Sequence, residues 1–328
     1  MLGPNGYDRL LGCSTLPECF SILQENDYFQ RTVTSAEMTD PTSWQRLFDA
    51  KFTAIVHKLA NLSPNDCAKV LAAFEDQHRL EYLKSGLRIM AARENKELQS
   101  DSLPADYVDE SLRNVAETRN IEQLVQATGA SPLYGEISAA LTEKKPLAFV
   151  EAIVDKYALH RTWAATDMPD WMDKQSVRSL VGEQIDRTNM LLVARSKTLG
   201  ISGDELQQML LPVNYRLGGA LAEALNASSA TSALRNFAKT TYGASIETFL
   251  ETFKEGNALY PLDISLQRHH AKDCLAAFGG LPFYAGLPLA FAFLTGYELS
   301  DVSSIISGKR DGLPTEKIGQ FLVLQKVL

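Results

Sequence analysis

Cysteine is scarce in this chain. Its four cysteines, Cys13, Cys19, Cys67 and Cys274, are spaced neither as a disulfide framework nor as paired zinc half-sites. That spacing predicts free thiols in a reducing compartment. Clustered positive charge is missing too. The net charge is −8, and no Lys/Arg run offers a landing face for a phosphate backbone, which excludes nucleic acid as a partner. The N-terminus lacks a basic start followed by an apolar run, so the cytosol is the expected compartment. Nothing matches G-x-x-x-x-G-K-[ST], G-x-G-x-x-G or G-x-S-x-G, which removes those phosphate cradles and the nucleophile elbow. No catalytic, cofactor-binding or metal-ligating residue is expected.

Alternating β patterns of useful length are absent as well, and helical spacing takes their place. Hydrophobic residues make up 45% of the 328 and charged residues 22%, enough for a sizeable core. In Trp44 to Leu59, Leu47, Phe48, Phe52, Ile55, Val56 and Leu59 form one stripe at steps of three and four. Lys69 to Met90, Ser176 to Leu199, Leu217 to Leu225 and Ile246 to Phe253 read the same way. Helix starts are marked by Ser63-Pro64-Asn65-Asp66, by Ser202 to Glu205 as a capping box, and by Pro314. The fold class is all-α.

From Cys274 to Tyr297 the chain runs 24 residues without a charge, the length of a bilayer span. Gly279, Gly280, Pro282, Gly286, Pro288 and Gly296 interrupt it, so it reads as a buried turn leading into a core helix near Pro288.

Two series of landmarks recur at one period. Tyr28-Phe29, Tyr134-Gly135 and Tyr242-Gly243 are separated by 106 and 108 residues. Asp76, Asp186 and Glu298 are separated by 110 and 112. The last two acids are each followed, 11 residues on, by K-x-x-G-[I/L]: Lys197 to Ile201, with Gly200, and Lys309 to Leu313, with Gly312. A helix start follows each. Three related helical units of about 110 residues follow, at 1–105, 106–213 and 214–328, with boundaries near Asp106 and Val213.

Few residues present themselves for chemistry. His269-His270 reads as a solvated helix end or loop, because no further ligand in an i, i+4 array stands out. Asp167, Asp170 and Asp173, with Trp163 and Trp171, read as a solvated acidic loop with aromatic anchors, lacking the glycine and glutamate of a calcium loop. Asp186 and Asn189 share a face of a helix whose Met190, Leu191 and Val193 imply burial. A buried carboxylate is costly unless paired or hydrogen-bonded, and Arg187, Arg195 or a backbone N–H of a neighbouring helix start are the candidates. Recurrence of the acid favours a polar peg setting helix register over a catalytic group.

These residues also carry a resemblance. Asp76 to Leu80 (DQHRL), Glu183 to Arg195 (EQIDRTNMLLVAR), Lys197 to Ile201, Leu211-Pro212, Pro282 to Leu294 (PFYAGLPLAFAFL), Tyr297-Glu298 and Gly308 to Ile318 (GKRDGLPTEKI) resemble the C subunit of the V/A-type ATP synthases, whose eukaryotic counterpart is the d subunit of the vacuolar-type ATPase. Where that family usually has Asn, this chain has Arg79 and Asp301, and only Asn189 keeps it. The resemblance implies a funnel of three similar helical units in pseudo-threefold arrangement, without catalytic activity or cofactor. It further implies a peripheral position on the cytoplasmic face of the membrane, with no transmembrane segment of its own and no small-molecule substrate. Central-stalk subunits of the D and F type and the proteolipid rotor ring are the implied partners. Torque for proton or sodium ion transport, with ATP synthesis or hydrolysis, would pass through it. The competing readings are an all-helical adaptor unrelated to a rotary motor, which would need a repeat period shorter than the one present, and an all-α enzyme centred on Asp186.

Overall fold

The computed structural model describes residues 1–26, 28–29, 41–94, 120–280 and 284–328. Every regular element among them is helical, with no strand. The α-helices are α1 (Pro4–Gly12), α2 (Leu16–Glu25), α3 (Pro41–Leu62), α4 (Asn65–Glu94), α5 (Ile121–Ala127), α6 (Tyr134–Thr142), α7 (Leu147–Ala165), α8 (Trp171–Leu199), α9 (Gly203–Met209), α10 (Gly219–Leu225), α11 (Ala230–Phe237), α12 (Gly243–Leu250), α13 (Tyr260–Ala277), α14 (Gly286–Arg310) and α15 (Thr315–Gln320). The expected boundary near Asp106 and the residue Pro282 lie outside the described residues.

Local chemistry starts most of these helices. Thr15 and Glu18 close a reciprocal capping box on α2, which the T-x-x-E spacing signals. Asn120, Asp170 and Ser229 each accept an N–H from three residues on, capping α5, α8 and α11. Ser202 caps α9 in the same way, but Glu205 reaches back to the Ser202 hydroxyl and not to its backbone N–H. Asp167 and Asp170 thus lie exposed in the loop before α8, as expected, with Asp170 also capping that helix, whereas Asp173 stands in its first turn. Asp167 pairs with Lys174 and Arg178; of the two expected aromatic anchors Trp171 is 67% exposed, while Trp163 is half-buried on α7.

Two compact units emerge. Thr39–Ala165 holds α3 to α7. In it α4 packs along α3 and α7, with Phe52 edge-on to Phe74 and Phe48, Phe52 and Val56 buried as the stripe requires. The α4–α7 seam is polar: Lys84, 8% exposed, bonds Asp155 at 2.7 Å, and Arg88 bonds Glu151 at 2.5 Å. The second unit joins Met1–Met38 to Thr166–Leu328. Its core surrounds α8 and includes Met190, Val193, Leu206, Leu234, Phe237, Ile246 and Leu262. Val213 falls within this unit.

The uncharged stretch runs from the end of α13 through a turn to the start of α14, and the described turn residues Phe278, Gly279 and Gly280 are exposed, not buried as expected. By length and composition α14 could cross a membrane, but 72% of its apolar window is buried inside the protein, as a core helix would be. Two further expectations are corrected. Cys13 and Cys19 are disulfide-bonded, not free, because the turn from α1 into α2 brings their Cα atoms to 5.8 Å; Cys67 and Cys274 are free and buried. His269 and His270 lie inside α13, not at a helix end or in a loop, and His270 is buried.

The K-x-x-G-[I/L] motif is a helix stop. Gly200 and Gly312 have φ of 68° and 67°, the left-handed region. The following N–H bonds back to a carbonyl of the helix's last turn in both cases, Ile201 to Ser196 at 3.0 Å and Leu313 to Gly308 at 2.8 Å. Gly200→Ala and Gly312→Ala should each cost roughly 1–2 kcal/mol in urea unfolding, through the left-handed conformation they force on alanine. Gly135→Ala, at a helical position with open space around its Cβ, should be neutral or slightly stabilising.

Candidate functional site

The repeated acids build one kind of contact. Asp186 on α8 is fully buried, and its carboxylate accepts the N–H of Tyr215 at 3.0 Å, the N–H of Arg216 at 2.7 Å and the hydroxyl of Tyr242 at 3.0 Å. One turn on, Asn189 accepts the Leu211 N–H at 3.0 Å and donates to the carbonyls of Leu211 and Val213 at 3.3 and 3.2 Å. The chain between α9 and α10 is thereby clasped to the middle of α8. Burial pushes the Asp186 carboxyl up, and the two backbone N–H groups and the Tyr242 hydroxyl hold it back. Of the partners considered from sequence, backbone N–H groups serve. Arg187 pairs with Asp263 at 2.9 Å, and Arg195 is exposed beside an open cavity of about 290 Å³ that also includes Tyr260 and Asp263.

On α14 the pattern returns 112 residues later. Asp301, in register with Asn189, accepts the N–H of Val323 and of Leu324 at 2.7 Å each, and of Gln325 at 3.4 Å. Asn189 to Leu211 and Asp301 to Val323 both span 22 residues. A carboxylate only accepts, whereas an amide also donates. The segment facing Asp301 presents three N–H groups, where the segment facing Asn189 presents one N–H and two carbonyls. Glu298, the repeat of Asp186, accepts the backbone N–H of Leu2. Burial and then the Glu298 charge raise the Tyr28 phenol, while burial and then Asp301 raise that of Tyr7. One member of the tyrosine series thus meets one of the acids directly, Tyr242 on Asp186, and the Glu298 charge is felt at Tyr28.

Both motif lysines make the same contact. Lys197 donates to the Leu225 carbonyl at the end of α10 at 2.6 Å, and Lys309 donates to the Leu11 carbonyl near the end of α1. A cation at a helix C-terminus satisfies orphan carbonyls and complements the macrodipole. Gly243 is also required by packing, since a Cβ there would lie 2.4 Å from the Ala238 carbonyl oxygen. On α4 the pattern is altered: Asp76, partly exposed, pairs with Arg79 and with Arg161 at 3.0 Å, and Tyr134 is 41% exposed.

One cluster escaped sequence reasoning. Glu183, one turn before Asp186, is 2% exposed and takes the Arg216 guanidinium at 2.5 Å, which lies 3.5 Å from Asp273. Burial and then the facing Asp273 carboxylate push Glu183 up to about 9, against the pull of Arg216. His269 stands edge-on to Tyr242 with ring centroids 5.3 Å apart. The i, i+4 spacing of His269 and Asp273 was readable; Glu183, from another helix, was not. The neighbouring His270 bonds the Leu180 carbonyl at 3.0 Å through Nε2 and the Tyr297 hydroxyl at 2.8 Å through Nδ1. A carbonyl only accepts, so Nε2 carries the proton and Nδ1 accepts from Tyr297. Burial depresses its pKa to about 3, so His270 is neutral.

Asp186→Ala should cost roughly 1–3 kcal/mol by leaving buried donors without an acceptor, and an unchanged melting temperature would refute the clasp. Asp301 supplies a pH test. Burial raises its pKa from 3.8 to about 6, so the folded protein holds that proton more tightly than the unfolded chain. Its contribution is full below pH 3.8 and lost as pH rises through about 6. Asp301→Asn should therefore remove a decline of about 2–3 kcal/mol between pH 4 and 7, read from urea unfolding at several pH values.

The order of these segments has counterparts in known proteins. A family model described as ATP synthase (C/AC39) subunit matches residues 1–321. The C subunit of the A-type ATP synthase of Methanocaldococcus jannaschii is 21% identical over 323 residues, covering 96% of this chain and 81% of that one. The corresponding C subunit of Methanosphaera stadtmanae is 20% identical over 94% of this chain and 82% of its own length. That of Thermococcus kodakarensis is 19% identical over 98% of this chain and 86% of its own. With the match running through α1, both clasping helices and α15, this chain belongs to the ATP synthase (C/AC39) subunit family.

Proposed function

We propose that the chain is the non-catalytic coupling subunit of a V/A-type rotary ATPase, joining the central stalk to the proteolipid rotor ring and passing torque between them. The observation that carries this reading is the family match over residues 1–321. The relatives are C subunits of A-type ATP synthases, and membership in such a complex places the chain peripherally on a membrane assembly. The stalk partners are of the D and F type, the position is the cytoplasmic face, and the transported ion is a proton or sodium.

The clasps give a physical reason for the assignment. A torque-bearing part fails where connections yield before helices do. Here the connection between α9 and α10 is bonded to buried side chains of α8, and that following α15 to Asp301 on α14. Close-packed interiors are stiff, and hydrogen bonds in a low-dielectric core resist displacement. The fully buried acids Asp186 and Asp301 spend their oxygens on structural donors, which fits a coupling part better than a catalytic one.

Tagged protein recovered from detergent-solubilised membranes of its own source should bring down stalk, catalytic and proteolipid subunits together, identified by mass spectrometry. Recovery of abundant bait with none of them would overturn the coupling role. Recovery of stalk subunits without the ring would restrict the chain to the stalk and overturn the ring contact.

A further inference from the structure

We propose that Glu183, His269 and Asp273 form a binding site for a divalent first-row transition ion of the zinc class, a role independent of the rotary reading. One ligand atom from each of the three lies within 4.8 Å of the other two. His269 and Asp273 stand four residues apart on α13 and so share a helix face, while Glu183 comes from α8, which packs against α13. The edge contact with Tyr242 sets the plane of the His269 ring.

A second observation points to a ligand. The Glu183 side chain is 2% exposed, yet only its Oε1 has a donor, the Arg216 guanidinium at 2.5 Å. Its Oε2 is sealed from solvent without a hydrogen-bond partner among the described residues. A buried carboxylate oxygen left without a donor is costly, and facing Asp273 it meets another acceptor. A cation among the three residues would supply what that oxygen lacks. Arg216 orients the carboxylates from the other oxygen, the part that outer hydrogen bonds play around bound metals.

The donor set selects the ion. One imidazole nitrogen and two carboxylate oxygens suit zinc and its borderline neighbours, whereas calcium and magnesium take oxygen ligands alone. Three protein ligands leave a fourth position for water. Asp273 is 39% exposed, which opens the site to solvent from the α13 side. An ion held there would tie α8 to α13 beside the Asp186 clasp, since Arg216 supplies both a Glu183 contact and a backbone N–H to Asp186.

Full-length protein stripped with a chelator and titrated calorimetrically with Zn²⁺ should bind one equivalent and melt at a higher temperature when loaded. Co²⁺ in its place should give visible absorption bands of a site with nitrogen and oxygen donors. Asp273→Asn and His269→Gln should each weaken Zn²⁺ binding by about tenfold or more and alter the Co²⁺ spectrum. His57→Gln, at a 66%-exposed histidine elsewhere, should change neither. Far-UV circular dichroism establishes that each variant is folded; should His269→Gln not fold, the exposed Asp273 position carries the test. Absence of saturable binding to the stripped protein, or binding that survives both substitutions unchanged, would overturn the site.

Discussion

A carboxylate can sit in the middle of a helical core only if something donates to it, and in this protein the donor is the backbone of a distant loop. Asp186 holds residues 215 and 216, and Asp301 holds residues 323 to 325. Each exchange solves two problems together. The helix gains compensation for a charge that would otherwise be expelled or neutralised, and the loop gains partners for N–H groups that have no strand or helix to join. Because the acceptor is a charged group, these bonds are stronger than neutral ones. Helix lengths, stops and connections fall into place around them.

The Lys197 and Lys309 contacts extend the same logic to helix ends. A left-handed glycine ends α8 and α14, and the lysine three residues earlier turns to the exposed carbonyls of another helix, α10 or α1. Within the unit formed by Met1–Met38 and Thr166–Leu328, α14 is thus bound to the chain's first helix, and α8 to the helices that follow it. α8 packs on α11 and α13, and α14 on α13 and α2. In Thr39–Ala165, α4 likewise packs on α7 and α5, with arginine pairs at Asp76 in place of a backbone clasp. Such pairs at a partly solvated surface are worth little, so that unit relies more on its apolar stripe and on the buried Lys84 pairing.

Much was legible in the residues. The 3.6-residue stripe on α3, the cap at Ser202 and the end of α8 at Leu199 are local signals, and each was found where the spacing placed it. Helix edges at Leu217 and Phe253 moved by two and three residues, to Gly219 and Leu250, because helix ends depend on what they pack against. Asp186 was readable as a buried acid because it is set among apolar residues, but its partners were not, since Tyr215 and Tyr242 lie 29 and 56 residues away. The same separation hid the Glu183 cluster and the burial of His270, whose partner Leu180 is 90 residues distant. The cysteine spacing misled: six residues across a turn between two helices is close enough to bridge.

By itself the sequence determined the helical class, several helix starts and the family, because periodicity, capping residues and ordered motifs are properties of neighbours along the chain. Tertiary structure alone decided that Tyr242 bonds Asp186, that Asp301 meets three N–H groups where Asn189 meets a mixed set, and that Glu183 faces His269 and Asp273. These are meetings between distant segments, and a side chain's donor or acceptor chemistry says what it needs without saying which part of the chain will supply it.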